Sequence, residues 1–453
     1  MKYSSYLPSI IRWNHVYPSH WDCEKAKRFF ANPKCLNKNN VETNILSLTL
    51  GGVIRNNRTR PIGLSPSDYA TYQIFEPNEL VFKLIDLENV STSRVGLVPE
   101  RGIMSSAYIR LSPRLDLNMR YFYYQYFDWY KRLIFNGLGE GVRQTLSGKD
   151  LINLEILLPP REEQDQIVRY LDWQVSKINK LISARKKQIA LLDELRRSIT
   201  CHCVINGVDG NIKRKETEIN WIDHIPEHWN VLFLSQVATE QAIKNTGLIE
   251  KNLLSLSYGR IVNKDINTAE GLLPASFEGY QIIHPGNIIL RLTDLQNDHK
   301  SLRVGLSTQT GIITSAYTCL KVRDNILPEY LYLQLHSADI CKVFYGMGGG
   351  VRQSIGYKDI RKMPVVVPPI EEQKLIVQKI HTLIAPFDTH IGKLNEKILH
   401  LSEYRTRLIS DVVTGQIDVR DIEVPEFEYI ADDVDDVSDD ENTDLEEIME
   451  EEE

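Results

Sequence analysis

At 453 residues, 42% of them hydrophobic and 25% charged, the chain is long enough for two or more globular domains. No apolar run approaches the roughly 20 residues of a membrane-spanning helix, and the opening Met1-Lys2-Tyr3-Ser4-Ser5 leads into no apolar signal segment. The formal charge of −8 hides a division: residues 432–453 hold fourteen acidic and no basic side chains, so residues 1–431 alone carry +6.

In chain order, Pro18-Ser19-His20-Trp21 comes first, followed by a β-branched apolar stretch, Leu46-Ser47-Leu48-Thr49-Leu50, ending at Gly51-Gly52. Arg55-Asn56-Asn57-Arg58-Thr59-Arg60 is a dense basic-polar loop. Residues 79–87 alternate as a strand, and Arg94-Val95-Gly96-Leu97, Gly102-Ile103 and Ser106-Ala107-Tyr108 follow. Residues 121–135 are aromatic-rich and read as a helix. A glycine-rich turn then leads through Gly141-Val142-Arg143-Gln144 to Lys149.

Pro159-Pro160 before Glu162-Glu163-Gln164 opens a different pattern, a long helix with proline and two acids at its positive end. Val168, Val175, Ile182 and Ile189 lie seven apart, interleaved with Leu171, Ile178 and Leu192, as in a heptad seam. Cys201-His202-Cys203 lacks the second ligand cluster a zinc site needs, and none of the six cysteines has CxxC spacing. Free thiols, no bound metal and a reducing cytoplasm are the expectation. Residues 206–222 read as a short linker.

The whole series then repeats, displaced by 208 residues early and 209 later: Pro226-Glu227-His228-Trp229, Leu254-Ser255-Leu256-Ser257, Arg303-Val304-Gly305-Leu306, Gly350-Val351-Arg352-Gln353 and Pro368-Pro369 before Glu371-Glu372-Gln373. So long a period is a duplicated domain rather than a solenoid. The second seam is Val377, Ile384, Ile391 and Ile398 with Ile380, Phe387, Leu394 and Leu401. Pro386 interrupts it, and a bend or break is expected over 382–386. Two seams of about 40 residues, each about 60 Å long, suit mutual burial, and connectivity then makes them antiparallel. The acidic tail has too little apolar surface for a core and reads as disordered.

Taken in this order and twice, these motifs resemble the specificity subunit of type I restriction–modification systems over residues 1–420. The resemblance implies an α+β chain with a pseudo-twofold internal repeat: target recognition domains at 1–160 and 205–369, conserved spacer helices at 161–204 and 370–415 forming a long antiparallel two-helix coiled coil, and an acidic tail at 416–453. Each recognition domain would read half of a bipartite DNA site, and the coiled coil would set the unread gap. The partners implied are double-stranded DNA, two modification (methyltransferase) subunits and restriction (motor/nuclease) subunits, with no membrane. The chain itself would be non-catalytic and bind no cofactor; the methyltransferase would use S-adenosylmethionine, and the motor ATP and Mg2+. No GxxxxGK[ST] loop and no adenine-methyltransferase motif occurs in it. The alternatives are the specificity subunit of another restriction or defence architecture, and a structural scaffold with no DNA role.

Candidate DNA contacts follow from side-chain chemistry, since Arg matches guanine and Asn or Gln matches adenine, while Lys suits phosphate. They are Arg55, Asn56, Asn57, Arg58 and Arg60 in the first half and, as their counterparts, Arg260, Asn263 and Lys264 in the second. The glycine-rich turns add Arg143, Gln144 and Lys149, and Arg352, Gln353 and Lys358.

Overall fold

The computed structural model describes residues 2–56, 68–85, 87, 93–139, 144–208, 212–264, 276–293, 295, 302–347 and 355–431. It divides into two compact units, one of residues 2–186 with 395–431 and one of residues 187–394, within the described residues. Both are mixed α/β, and they share one strand order. In the first unit an antiparallel four-stranded sheet runs Phe30–Ala31, Ile109–Pro113, Leu80–Phe82, Val95–Leu97. In the second the order is Ala238–Glu240, Thr318–Val322, Ile288–Leu290, Val304–Leu306. Four smaller antiparallel pairs also recur, among them the hairpins Leu46–Thr49 with Gly52–Arg55 and Leu254–Ser257 with Arg260–Asn263.

The central strand is apolar throughout because both of its faces are covered. Leu80 and Phe82 join the core of the aromatic helix Met119–Lys131, whereas Val81 joins Leu46 and Leu48 of the hairpin. Ile288, Leu290 and Ile289 divide in the same way between the helix Pro328–Ile340 and the second hairpin. The hairpin can come this close only over glycine. A Cβ on Gly96 would lie 2.6 Å from Leu48 Cδ1, and one on Gly305 2.5 Å from Leu256 Cδ1. The strands expected over 79–87 and 287–295 are shorter, Leu80–Phe82 and Ile288–Leu290. Beyond them the buried guanidiniums of Arg94 and Arg303 donate to the carbonyls of Ile85 (3.3 Å) and Thr293 (2.6 Å).

The heptad stretches are helices, Arg161–Asn206 and Ile370–Val413. Within the first unit, Val168, Leu171, Val175, Ile178 and Ile182 are buried in one cluster with Leu408, Ile409 and Val412, and Ile398 and Leu401 pack on it half-buried. Arg405 Nη1 donates to Asn179 Oδ1 at 2.6 Å. In the second unit Val377 and Ile380 are buried with Val204, Leu394 is buried, and Ile189, Leu192, Ile384, Phe387 and Ile391 are half-buried. There Arg196 pairs with Asp388 at 2.7 Å, and Lys379 Nζ donates to the carbonyl of Val208 at 2.7 Å. Of the bend or break expected over 382–386, the break does not occur, since the helix is continuous through Pro386. Thr382 and Pro386 are both exposed, and Ile384 packs on the core of the second unit.

The repeated motifs are where each helix start is gripped. Glu163 Oε2 meets His20 Nε2 at 2.7 Å, while its Oε1 accepts from Tyr3 Oη (2.5 Å) and Trp21 Nε1 (3.0 Å). Glu372 meets His228 at 2.8 Å. Gln164 and Gln373 each donate to the first proline's carbonyl and accept the backbone N–H of Asn118 (3.1 Å) or Leu327 (2.8 Å). At the far helix ends, Gly207 (φ +75°) and Gly415 (φ +73°) take the left-handed conformation that closes a helix. Gly207 lies against Trp229, and Gly415 against Pro18 and Trp21. Each unit is thus completed by the start of one long helix and the end of the other.

Two segments differ from expectation. The stretch read as a linker contains an antiparallel pair, Arg214–Ile219 with Ile222–Pro226, with Ile219, Ile222 and Ile225 buried. The tail expected from residue 416 begins as a strap instead. Its carbonyls at Val419, Val424 and Ile430 accept from Gln166 (2.9 Å), Arg169 (3.0 Å) and Asn179 (2.9 Å), and Val419 and Val424 are buried. Residues 432–453 lie outside the described residues. Among the described residues no helix is long and apolar enough to cross a membrane.

The two copies of the aromatic helix differ at one position with a consequence for pH. His336 stands where the first unit has Phe127, and burial, then Arg197 and Arg196, push its pKa down to about 4. The unfolded chain therefore takes up a proton near pH 6.5 that the folded unit refuses. Stability is complete above that pH and declines as pH falls toward 4, by at most about 3 kcal/mol. His336→Phe is expected to flatten this decline in melting temperature between pH 6.5 and 4; an unchanged slope would assign the decline to other groups.

Candidate nucleic-acid interface

The hairpin in each unit ends in a polar corner. Leu46 pairs with Arg55 and Leu254 with Asn263 in register, so Arg55 and Asn263 occupy one structural position, and Asn56 and Lys264 the next. Arg260 matches Gly52 at the hairpin's turn rather than any residue of the first basic loop. The side chains of Arg55, Arg260 and Asn263 are exposed, and those of Asn56 and Lys264 half-buried. Asn56 Nδ2 donates to Ser47 Oγ at 2.8 Å. Asn57, Arg58 and Arg60 lie outside the described residues.

Arg55 is engaged within its own unit. Its guanidinium grips the Glu100 carboxylate with two N–H donors, and this pairing holds the Glu100 carboxyl below its ordinary range. In the second unit a neutral network takes its place. Gln309 Nε2 donates to Asn263 Oδ1 (2.7 Å), and Asn263 Nδ2 donates to Asn252 Oδ1 (2.7 Å). Beside it, Arg101 pairs with Glu76 at 2.6 Å, where the second unit sets Thr310 3.4 Å from His284. The framework behind the corner is the same in both. Asn37 and Asn245 each close a loop with two bonds to the backbone of Glu42 or Glu250. Gln73 and Gln281 donate to the carbonyls of Tyr108 (2.5 Å) and Tyr317 (2.6 Å).

The glycine-rich turns are anchored where the central strand ends. Leu146 and Ile355 donate backbone N–H groups to Leu84 (2.9 Å) and Leu292 (3.0 Å). Gln144 sits at φ +30°, its carbonyl accepting from Leu87 at 3.2 Å. Arg143, Arg352 and Gln353 lie outside the described residues. Lys149 and Lys358 are exposed in the first turns of the short helices Gly148–Asn153 and Tyr357–Ile360. The aspartate after each lysine caps its helix, Asp150 accepting from Ser147 N (3.1 Å) and Asp359 from Gly356 N (2.8 Å). Within the described residues neither lysine has an ion-pair partner.

Sequence reasoning passed over Glu100, Gln309, Asn44 and Asn252, although the repeat offset aligns them. Asn44 and Asn252 donate to the carbonyls of Arg101 (2.7 Å) and Thr310 (2.8 Å), locking the hairpin base to the next strand. Among the described residues no group of three or more His, Cys, Asp or Glu side chains could hold a metal ion. What the corners and turns offer is donors and acceptors on a fixed framework, suited to base edges and phosphates.

Comparison with known proteins agrees with the duplication. A family model described as "Type I restriction modification DNA specificity domain" matches residues 30–191 and again 226–400. The chain is 24% identical over 290 residues to the putative type I restriction enzyme MjaX specificity subunit of Methanocaldococcus jannaschii, covering 61% of this chain and 63% of that protein. It is 20% identical over 342 residues to the type I restriction enzyme EcoBI specificity subunit of Escherichia coli, covering 70% of each. The match thus spans less than two thirds of the MjaX subunit's length. A chain solved in work on complex assembly and conformational transition of the type I R-M system superposes with TM-score 0.56 at 13% identity, over 88% of this chain and 99% of that one. That likeness is one of fold.

Proposed function

The chain belongs to the family of type I restriction–modification DNA specificity subunits, and from this membership we propose that it reads a bipartite site in double-stranded DNA, one half with each unit. The observation that carries the reading is the pattern of sameness and difference. Strand order, the grip on each helix start and the loop-closing bonds of Asn37 and Asn245 are common to both units, whereas the exposed hairpin corners carry different hydrogen-bonding groups. Two half-sites of different sequence call for this arrangement. Arg55, Asn56, Arg260, Asn263, Lys264 and Gln144 are proposed to face bases or phosphates, and Lys149 and Lys358 phosphates, together with Asn57, Arg58, Arg60, Arg143, Arg352 and Gln353.

The long helices are proposed to form an antiparallel coiled coil that joins the two recognition domains, fixes the unread gap and docks two methyltransferase subunits, with restriction subunits joining for cleavage. Chemistry then belongs to the partners, which bring S-adenosylmethionine, ATP and Mg2+, and this chain supplies the address. It would act in the cytoplasm, with residues 432–453 as a disordered acidic tail.

The test is a methylome of cells carrying this chain with its methyltransferase partner. A split adenine-methylated motif with an unread gap is expected. A continuous motif would contradict the two-headed reading, and the absence of any motif would favour a scaffold. In vitro, affinity should fall steeply with salt while sequence preference persists.

A further inference from the structure

The hairpin corner is where the two units disagree most while their backbones agree. Arg55 and Asn263 share a register position, and Glu100 and Gln309, two residues before the strands Gly102–Met104 and Gly311–Ile313, are their partners. At one point of the fold a cation–carboxylate pair in the first unit replaces an amide–amide pair in the second. The framework asparagine beneath, Asn44 or Asn252, is identical in both. A pair serving stability alone has little reason to sit so far out, since Arg55 keeps 72% of its side-chain surface exposed. Exposed ion pairs contribute little to stability, so the Arg55–Glu100 pair can open toward a ligand at small cost.

We propose that Arg55 with Glu100, and Asn263 with Gln309, are the matching specificity determinants of the two units, the charged pair reading a G·C base pair and the amide pair an A·T base pair. The chemistry is that of the groove edges. Arginine donates twice to guanine O6 and N7, and a carboxylate accepts from cytosine N4. Asparagine and glutamine both donate to and accept from adenine N7 and N6. The two residues of a pair lie on adjacent segments, so each can address one edge of a single base pair. This inference rests on the proposed DNA reading.

The experiment exchanges the pairs in the full chain complexed with its methyltransferase partner, using R55N/E100Q and, reciprocally, N263R/Q309E. Each complex selects from a pool of randomised duplexes, and melting temperature is recorded alongside. The wild type comes first; if it selects no split consensus, the DNA reading itself fails and the exchange is not at issue. Given a split consensus, R55N/E100Q is expected to turn one G·C pair of one half-site toward A·T, with at least about a tenfold change in preference at that position, and to leave the other half unaltered. N263R/Q309E should make the opposite change in the other half. An unaltered consensus overturns the assignment. So does loss of all binding by both variants at wild-type melting temperature, because the pairs would then be serving something other than one base pair each.

Discussion

Replacing Glu163 with alanine is expected to destabilise the first unit by about 3–5 kcal/mol, while the matching Glu372→Ala costs the second about 1 kcal/mol. The difference lies in what each carboxylate satisfies. Glu163 is 5% exposed and receives Tyr3 Oη, Trp21 Nε1 and His20 Nε2. Tyr3 and Trp21 are themselves buried, so removing their acceptor leaves two donors with no access to water. Each such group costs about 1–3 kcal/mol. Burial and the adjoining carboxylate hold the Tyr3 hydroxyl far above its ordinary range, so it stays a donor at every pH of interest. Glu163 also lies in the first turn of its helix, where a negative charge is favourable. Among the described residues Glu372 answers only His228, whose side chain is 46% exposed and can turn to water, and the buried Trp229 Nε1 has no acceptor among them. Thermal melts of the two variants beside the wild type decide the matter. Equal losses from E163A and E372A would show that the three-donor grip adds nothing.

That grip shows how much of the fold could be read before any coordinates. The recurrence of Pro-x-His-Trp and of Pro-Pro-x-Glu-Glu-Gln marks both as framework, and the heptads carry their own length, so helices were expected over 161–204 and 370–415 and are found over Arg161–Asn206 and Ile370–Val413. That the two motifs touch was not, because 142 residues separate Trp21 from Glu163 and periodicity says nothing about contacts over such a distance. The hairpin register was hidden for a related reason. A count along the loop aligned Arg260 with the first basic cluster, but strand pairing set Asn263 opposite Leu254 and so in the place of Arg55. Glu100 and Gln309, which the repeat offset aligns, then become the partners of one shared position. Pro386 misled in the other direction. A rule about helix interiors predicts a bend or break, yet the 44-residue helix runs through Pro386 without breaking. The strap over 416–431 was concealed by composition, since most of its binding runs through backbone carbonyls, which every sequence possesses.

The second large effect is expected at Arg303, which the sequence marked only as part of a repeated tetrapeptide. Its side chain is fully buried, a position that isolated charges do not tolerate. It is tolerated here because Nη1 donates to the carbonyls of Thr293 (2.6 Å) and Arg291 (3.3 Å), Nε donates to Tyr345 Oη (3.0 Å), and the guanidinium lies 5.3 Å from the centre of the Tyr345 ring. Those carbonyls belong to the chain just after the central strand, beside the point where Ile355 ties down the glycine-rich turn through Leu292. Arg303→Met keeps much of the volume and removes the guanidinium donors from these carbonyls and from Tyr345 Oη, and is expected to cost about 3–5 kcal/mol. Arg303→Lys retains the charge without the planar fork and should fall between the two. The loss should also appear as function. At a temperature where the variant is still folded, R303M should blur the half-site read by the second unit and leave the other half sharp, because the framework under one reading surface has been loosened. If both halves blurred together, or if stability fell with both consensus halves intact, the buried arginine would be serving the core alone, and the link from framework to reading surface would have to be sought in the glycine-rich turn itself.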